Sequence, residues 1–357
     1  MRRTASILGA LALLACLALA SSASAAYDPI GSGQAKLTLD AGFSSFLKAN
    51  GISLTAKAGA KRKGSSITLP VTSGNVDPTL GKGEIGNQGT IAFQGAKGKV
   101  PLRNVTVKAK RDTLIAKVGG SQLKVASSDK RSSARQGFGT KYTAKALKLT
   151  AKAATRLNKK LRPKAPFAQG QVIGTLATNA QPKLATILPQ NRVTIVLDPA
   201  FAAKMDSLFV SINPIFPAEH PSGPTFTFPV IPGGAISPAG TEGTLRTGGS
   251  LEFLQLGAGQ VFQHEFWLDL ASRSDTAEVD IEPTPAFPGK LGRIGAYDLG
   301  AYSAVSDPKA RTISVSSAPL TLTAQTAQGF NEAFAGGKAA FAAGEVVGNL
   351  SFSAQAQ

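Results

Sequence analysis

The chain is short of the side chains from which most catalytic and metal centres are built. Its 357 residues include one cysteine, two histidines, one tryptophan and four tyrosines. A single cysteine excludes an internal disulfide framework and any zinc cluster built on thiolates. Two histidines leave almost no material for histidine-based catalysis. Long apolar runs are as scarce: the one from Ile7 to Ala20 is too short and wrongly flanked to cross a membrane as a helix, and no second one follows. The GxSxG, HExxH and P-loop patterns are missing, so the usual signatures of hydrolases, zinc enzymes and nucleotide sites are absent and no enzymatic activity is expected.

Glycine and proline, at 38 and 21 residues, are plentiful. They punctuate runs such as ITLP, TIAF, VTVKAK and LSFSA, whose composition is that of strands between turns. With 43% apolar residues the chain has enough material for a packed core, and its length suggests about two domains. The expected fold class is mainly β, as two tandem β-sandwich-like domains with one or two short helices each.

Arg2 and Arg3 precede the apolar run, and Ala23-Ser24-Ala25 follows it in an A-x-A pattern. This predicts a secretory signal peptide over 1–25, and hence a secreted or surface-associated protein whose mature form has no cysteine. Two alternatives stand beside it. Cys16, after Leu13-Leu14-Ala15, is a possible lipid anchor, and the arginine pair hints at twin-arginine export.

The sequence repeats itself. Leu39-Asp40-Ala41-Gly42-Phe43 matches Leu197-Asp198-Pro199-Ala200-Phe201, 158 residues on. Pro70, Pro78, Gly83, Gly89, Ile91 and Phe93 match Pro229, Pro238, Gly243, Gly249, Leu251 and Phe253 at offsets of 159 to 160. TAKAATRLNKKL (150–161) aligns with TAQTAQGFNEAF (323–334), after which Phe167 and Gly170 match Phe341 and Gly344. Start, middle and end recur in one order, which predicts two copies of a unit of roughly 150 residues. The boundaries read as 33–180, a linker over 181–191 marked by Pro182 and Pro189, and 192–357. Within each copy an opening helix is expected. Asp40 caps the first, with Phe43, Phe46 and Leu47 at helical spacing and Asn50-Gly51 ending it; Asp198 and Pro199 start the second, with Phe201, Met205 and Leu208 inward. A later helix is expected with Ala151, Ala154, Leu157 and Leu161 on one face.

Charge separates the copies. Residues 27–190 carry 28 Lys and Arg against 6 Asp and Glu, whereas 191–357 carry 9 against 15. A basic face on an exported protein serves solubility, adsorbs to anionic wall polymers or headgroups, captures an acidic ligand, or docks on a neighbour's acidic copy. Nucleic acid is not expected, because the chain leaves the cytoplasm and no aromatic stacking motif lies among the lysines.

Few residues invite chemistry. His220, in PAEHPSG, reads as an exposed turn residue. If VFQHEFWLDL is a regular strand, His264 shares a face with Phe262, Phe266, Leu268 and Leu270, either as a hydrogen-bonded histidine at a core edge or as a ligand to porphyrin iron. The run Asp275, Glu278, Asp280 and Glu282 reads as a solvated strand face and not as a calcium loop.

The repeat unit resembles the HtaA domain of actinobacterial haem-uptake proteins. The features that carry this are the opening helices LDAGFSSFLKANG and LDPAFAAKMDSLF, the frames VDPTLGKGEIGNQGTIAFQG and ISPAGTEGTLRTGGSLEFLQ, and the late helix followed by a glycine. The resemblance implies a secreted or surface-attached β-rich module that binds haem, with a tyrosine of the opening helix on the iron and a histidine nearby. The tyrosine position falls on Phe46 in the first copy and Lys204 in the second, neither of which supplies a phenolate. The histidine position falls near Ala96, and the stretch after Phe253 holds no histidine. An apolar cleft beside Phe43 or Phe201 would still suit a flat or lipidic ligand, so Phe43, Phe46, Phe201 and His264 are the candidate pocket residues, with haem the possible cofactor and no metal ligand set.

Overall fold

The computed structural model describes residues 27–282 and 289–357. The stretch 1–25, expected to be a signal peptide, lies outside the described residues, and Cys16 with it. The chain is mainly β, in two antiparallel sheets: one is built from strands between Asp28 and Pro182, the other from strands between Ala185 and Gln355. The two-layered packing expected of a sandwich is achieved in each case by one sheet curling on itself. In the first sheet, Gly98–Lys108 pairs with Lys82–Asn87 on one side and Thr113–Val118 on the other, which closes a barrel. Alternating burial along the strands follows from this closure, since every second side chain points inward. Strand Val172–Pro182 shows it with Leu176, Thr178 and Ala180 buried between half-exposed or exposed neighbours.

Each sheet carries two helices, α1 (Ala41–Ala49) and α2 (Ala151–Leu161) on the first, α3 (Pro199–Ser207) and α4 (Ala324–Ala335) on the second. Their starts obey capping chemistry. Asp40 Oδ1 accepts from Phe43 N at 3.1 Å, and Asp198 Oδ1 from Ala200 N at 2.8 Å with Pro199 in the first turn. Thr150 and Thr323 each accept, at 3.2 Å, from the amide three residues on. The inward face of α2 is Ala153, Ala154, Leu157 and Leu161; Ala151, expected on that face, is exposed.

The same fixings recur in both sheets. Asn158, on α2, holds the Phe167 backbone by two bonds, N–H to Oδ1 at 2.7 Å and Nδ2 to O at 2.9 Å. Asn331, on α4, holds Phe341 by the same two bonds at the same lengths. Gly89 and Gly249 are equivalent as well: a Cβ on either would lie 3.0 Å or less from the backbone nitrogen of Ala60 or Ala218, at a positive φ in both cases. One matched position differs. Gly51 ends α1 at φ +63°, whereas Phe209 takes that left-handed conformation after α3 at φ +55° with its ring 86% exposed.

The stretch 181–191, read as a linker, is structured. Gln181 and Pro182 complete the strand Val172–Pro182, Ala185–Thr186 pairs with Ala235–Ile236, and Thr186 donates twice to Asp28 Oδ1, at 2.8 and 3.0 Å. Phe138, at the tip of a first-sheet hairpin, packs into the core of the second sheet. The sheets therefore share apolar as well as polar contacts at their junction.

Candidate functional site

Both opening helices border a filled core. Phe43, Phe93 and Phe167 are buried, and Phe46 lies partly buried against Phe167 with ring centroids 5.1 Å apart. Phe43 is 6.3 Å from Phe167 and 6.5 Å from Phe93, so four rings occupy the space beside the helix. In the second sheet Phe201, Phe253, Phe330, Phe334 and Phe341 do the same, Phe330 lying 4.9 to 5.5 Å from three of the others. Lys204 occupies the place of Phe46. Its Nζ sits 5.3 Å from the Phe341 centroid, donates to Ala340 O at 3.1 Å and pairs with Glu345. Phe46 and Lys204, at matched places on the two opening helices, thus each cover a core phenylalanine, one by ring packing and the other by its charge.

His264 does not share a face with Phe266, Leu268 and Leu270. Strand Gly259–Asp269 bulges at Glu265, which has φ +53°, and the pairing register shifts between His264 and Trp267. The extra residue inverts the alternation, so Val261, Gln263, Phe266 and Leu268 are buried and His264 faces out, its Nε2 3.4 Å from Asp280 Oδ2. Asp275 also departs from its expected place. Three residues before Glu278 instead of two, it has the opposite parity and points inward, while Glu278, Asp280 and Glu282 remain outside. Burial pushes its carboxyl up to about 7 against the opposing pull of Arg293. Tyr297, directly across from it, donates to Gln263 Oε1 at 2.5 Å, and burial raises its phenol as well. His220 is exposed and stacks on Phe226 at 4.7 Å. Among the described residues no three His, Cys, Asp or Glu side chains are grouped to hold a metal, and no helix is long and apolar enough to cross a membrane.

The outer face of the first sheet is built differently. Strands Ser53–Lys57, Thr90–Gly95, Gly98–Lys108, Thr113–Val118 and Ser121–Ser127 lie side by side and carry Lys57, Lys99, Arg103, Lys108, Lys117 and Lys124 without one carboxylate. Lys108 is paired with Glu84 of a neighbouring strand. The other five make no ion pair among the described residues. A cleft of about 520 Å³ opens on this face, lined by Lys57, Gln88, Thr90, Lys99, Arg103 and Asn104 among others. A larger one, about 660 Å³, is lined by Lys108, Lys110, Arg111 and Glu84, so part of its charge is already neutralised. The sequence showed the excess of cations in this half; it did not show that five adjacent strands hold them unopposed, because strand order is not written in residue spacing.

No family model and no curated protein matches the chain. Among solved structures, the C-terminal domain of HtaA from Corynebacterium glutamicum is similar over 48% of this chain and 98% of that one, with 17% identity and a TM-score of 0.37. A domain-swapped dimer of a histidine-to-alanine variant of that domain is similar over 44% of this chain and 90% of its own, with 17% identity and a TM-score of 0.34. Both likenesses are weak and span about half of this chain.

Proposed function

We propose that this is a non-enzymatic protein of the cell exterior that binds an anionic polymer on the outer face of its first sheet. The observation that carries the reading is the set of five adjacent strands without a carboxylate, whose five cations make no ion pair among the described residues and three of which, Lys57, Lys99 and Arg103, line a cleft. Fixed cations of one sign over a cleft raise the local concentration of a polyanion and hold it by many weak, salt-sensitive contacts. Haem binding, the function implied by the resemblance, finds less support in the geometry, since Phe46 and Lys204 are both engaged with core rings and the space beside each opening helix is filled.

The reading is tested on the full chain with fluorescently labelled linear polyphosphate and polygalacturonate, by anisotropy across a salt series. Binding to at least one polymer is expected at low salt, with affinity falling about tenfold or more on going to several hundred millimolar salt, as counterion release requires. No binding at low salt to either polymer would overturn it.

A further inference from the structure

We infer that the polymer is seated on one cross-strand row, Lys57, Thr90, Arg103 and Lys117, and runs across the strands instead of along them. This rests on the polyanion reading above and assigns its site. Lys57 stands opposite Thr90, Thr90 opposite Arg103, and Arg103 opposite Lys117. Residues opposed in antiparallel register share a face, so the four side chains form one line on the outside of the sheet. Adjacent strands are about 4.8 Å apart, which puts Lys117 one spacing from Arg103 and Lys57 two spacings away on the other side.

The row is built at a cost. Like charges directly opposite each other destabilise a sheet, and among the described residues neither Arg103 nor Lys117 pairs with a carboxylate to relieve it. The second sheet shows how the same row is arranged when it is self-sufficient. There the registers join Ile215, Ser250, His264, Glu278 and Arg293 in that order. Glu278 stands where the first sheet has Lys117, and Arg293 Nε lies 3.3 Å from its Oε1. One row neutralises itself, and the other is completed by anions from outside. Arg103 offers a planar fork that takes a phosphate or carboxylate by two parallel bonds, and Thr90 adds a neutral hydroxyl between the charges. The ligand class is a linear polymer bearing an anionic group on each repeat, whether phosphate or carboxylate.

The test compares two triple variants of the full chain against the same two polymers. Lys57→Gln with Arg103→Gln and Lys117→Gln removes three charges from the row. Lys36→Gln with Lys141→Gln and Lys145→Gln removes three exposed charges from two strands that lie three places from that of Arg103, one on each side round the barrel. The row variant is expected to bind about tenfold or more weakly, and the control to change by less than about threefold. Lys117→Glu alone, which installs the second sheet's residue, is expected to weaken binding about as much as the row variant while raising the thermal midpoint, because it turns a repulsive pair into an attractive one. Loss of binding to one polymer only, on the row variant, supports the row and names the anion. Equal weakening by both triples, with circular dichroism unchanged, would overturn the row and leave diffuse adsorption, so the polyanion reading would survive; absence of binding by the parent chain would remove that reading instead.

Discussion

Asp275→Asn is expected to make the protein more stable at pH 8, by about 4 kcal/mol, and to have no such effect below pH 4. The carboxyl is buried, one of its oxygens has no hydrogen-bond partner, and its position inside the curled second sheet raises it from 3.8 to about 7. Below pH 3.8 the group is neutral in the folded and the unfolded chain alike, so it carries no electrostatic penalty. As the pH rises towards 7 the unfolded chain ionises freely while the fold resists. The parent therefore loses about 1.4 kcal/mol of stability for each pH unit between the two values, and the loss due to this group is complete above pH 7. A neutral amide of the same shape escapes this loss. Chemical denaturation of parent and variant between pH 4 and 8 checks it, and a difference that stays constant with pH would show that the carboxyl is solvated or paired.

Phe330→Ala is expected to cost about 3–5 kcal/mol, the range for removing a large ring from a core that cannot collapse around the gap. Phe330 is 1% exposed and sits at the centre of the second aromatic cluster, 4.9 Å from Phe253, 5.4 Å from Phe341 and 5.5 Å from Phe334. Phe46→Ala, at the rim of the first cluster, should cost less than half as much because its ring is only partly buried. The measurement also reports on the opening helix. A loss under about 1 kcal/mol at Phe330 would mean that the rings leave room beside the helix, as a ligand pocket would require, and that the core is not the filled one described above.

What was legible in the sequence was mostly local. Asp40 and Asp198 announce the starts of the two opening helices because a side-chain acceptor before an apolar repeat is a short-range signal, and the structure places a cap at each; the later helix is legible from its apolar spacing, while its caps Thr150 and Thr323 show only in the structure. Strands at ITLP, TIAF and LSFSA were readable for the same reason. A regular strand puts His264 on the face of Phe266, but one bulged residue, Glu265, reverses the alternation, and nothing about a glutamate announces a left-handed backbone. Asp275 was grouped with its outward neighbours although its spacing of three from Glu278 already gave it the other parity. The aromatic clusters needed coordinates, since Phe43 and Phe167 meet across more than a hundred residues of chain. The facing of Arg103 and Lys117 is of the same kind: each was visible as a cation, and only the register sets them opposite one another.

The most direct measurement is a lysine footprint of the full chain, comparing acetylation by a water-soluble reagent with and without saturating polyphosphate or polygalacturonate. The account predicts protection of Lys57 and Lys117, with Lys36, Lys141 and the second sheet's Lys309 and Lys338 modified as fast as in the free protein. Uniform slowing at all these lysines, or protection confined to the second sheet, would contradict it.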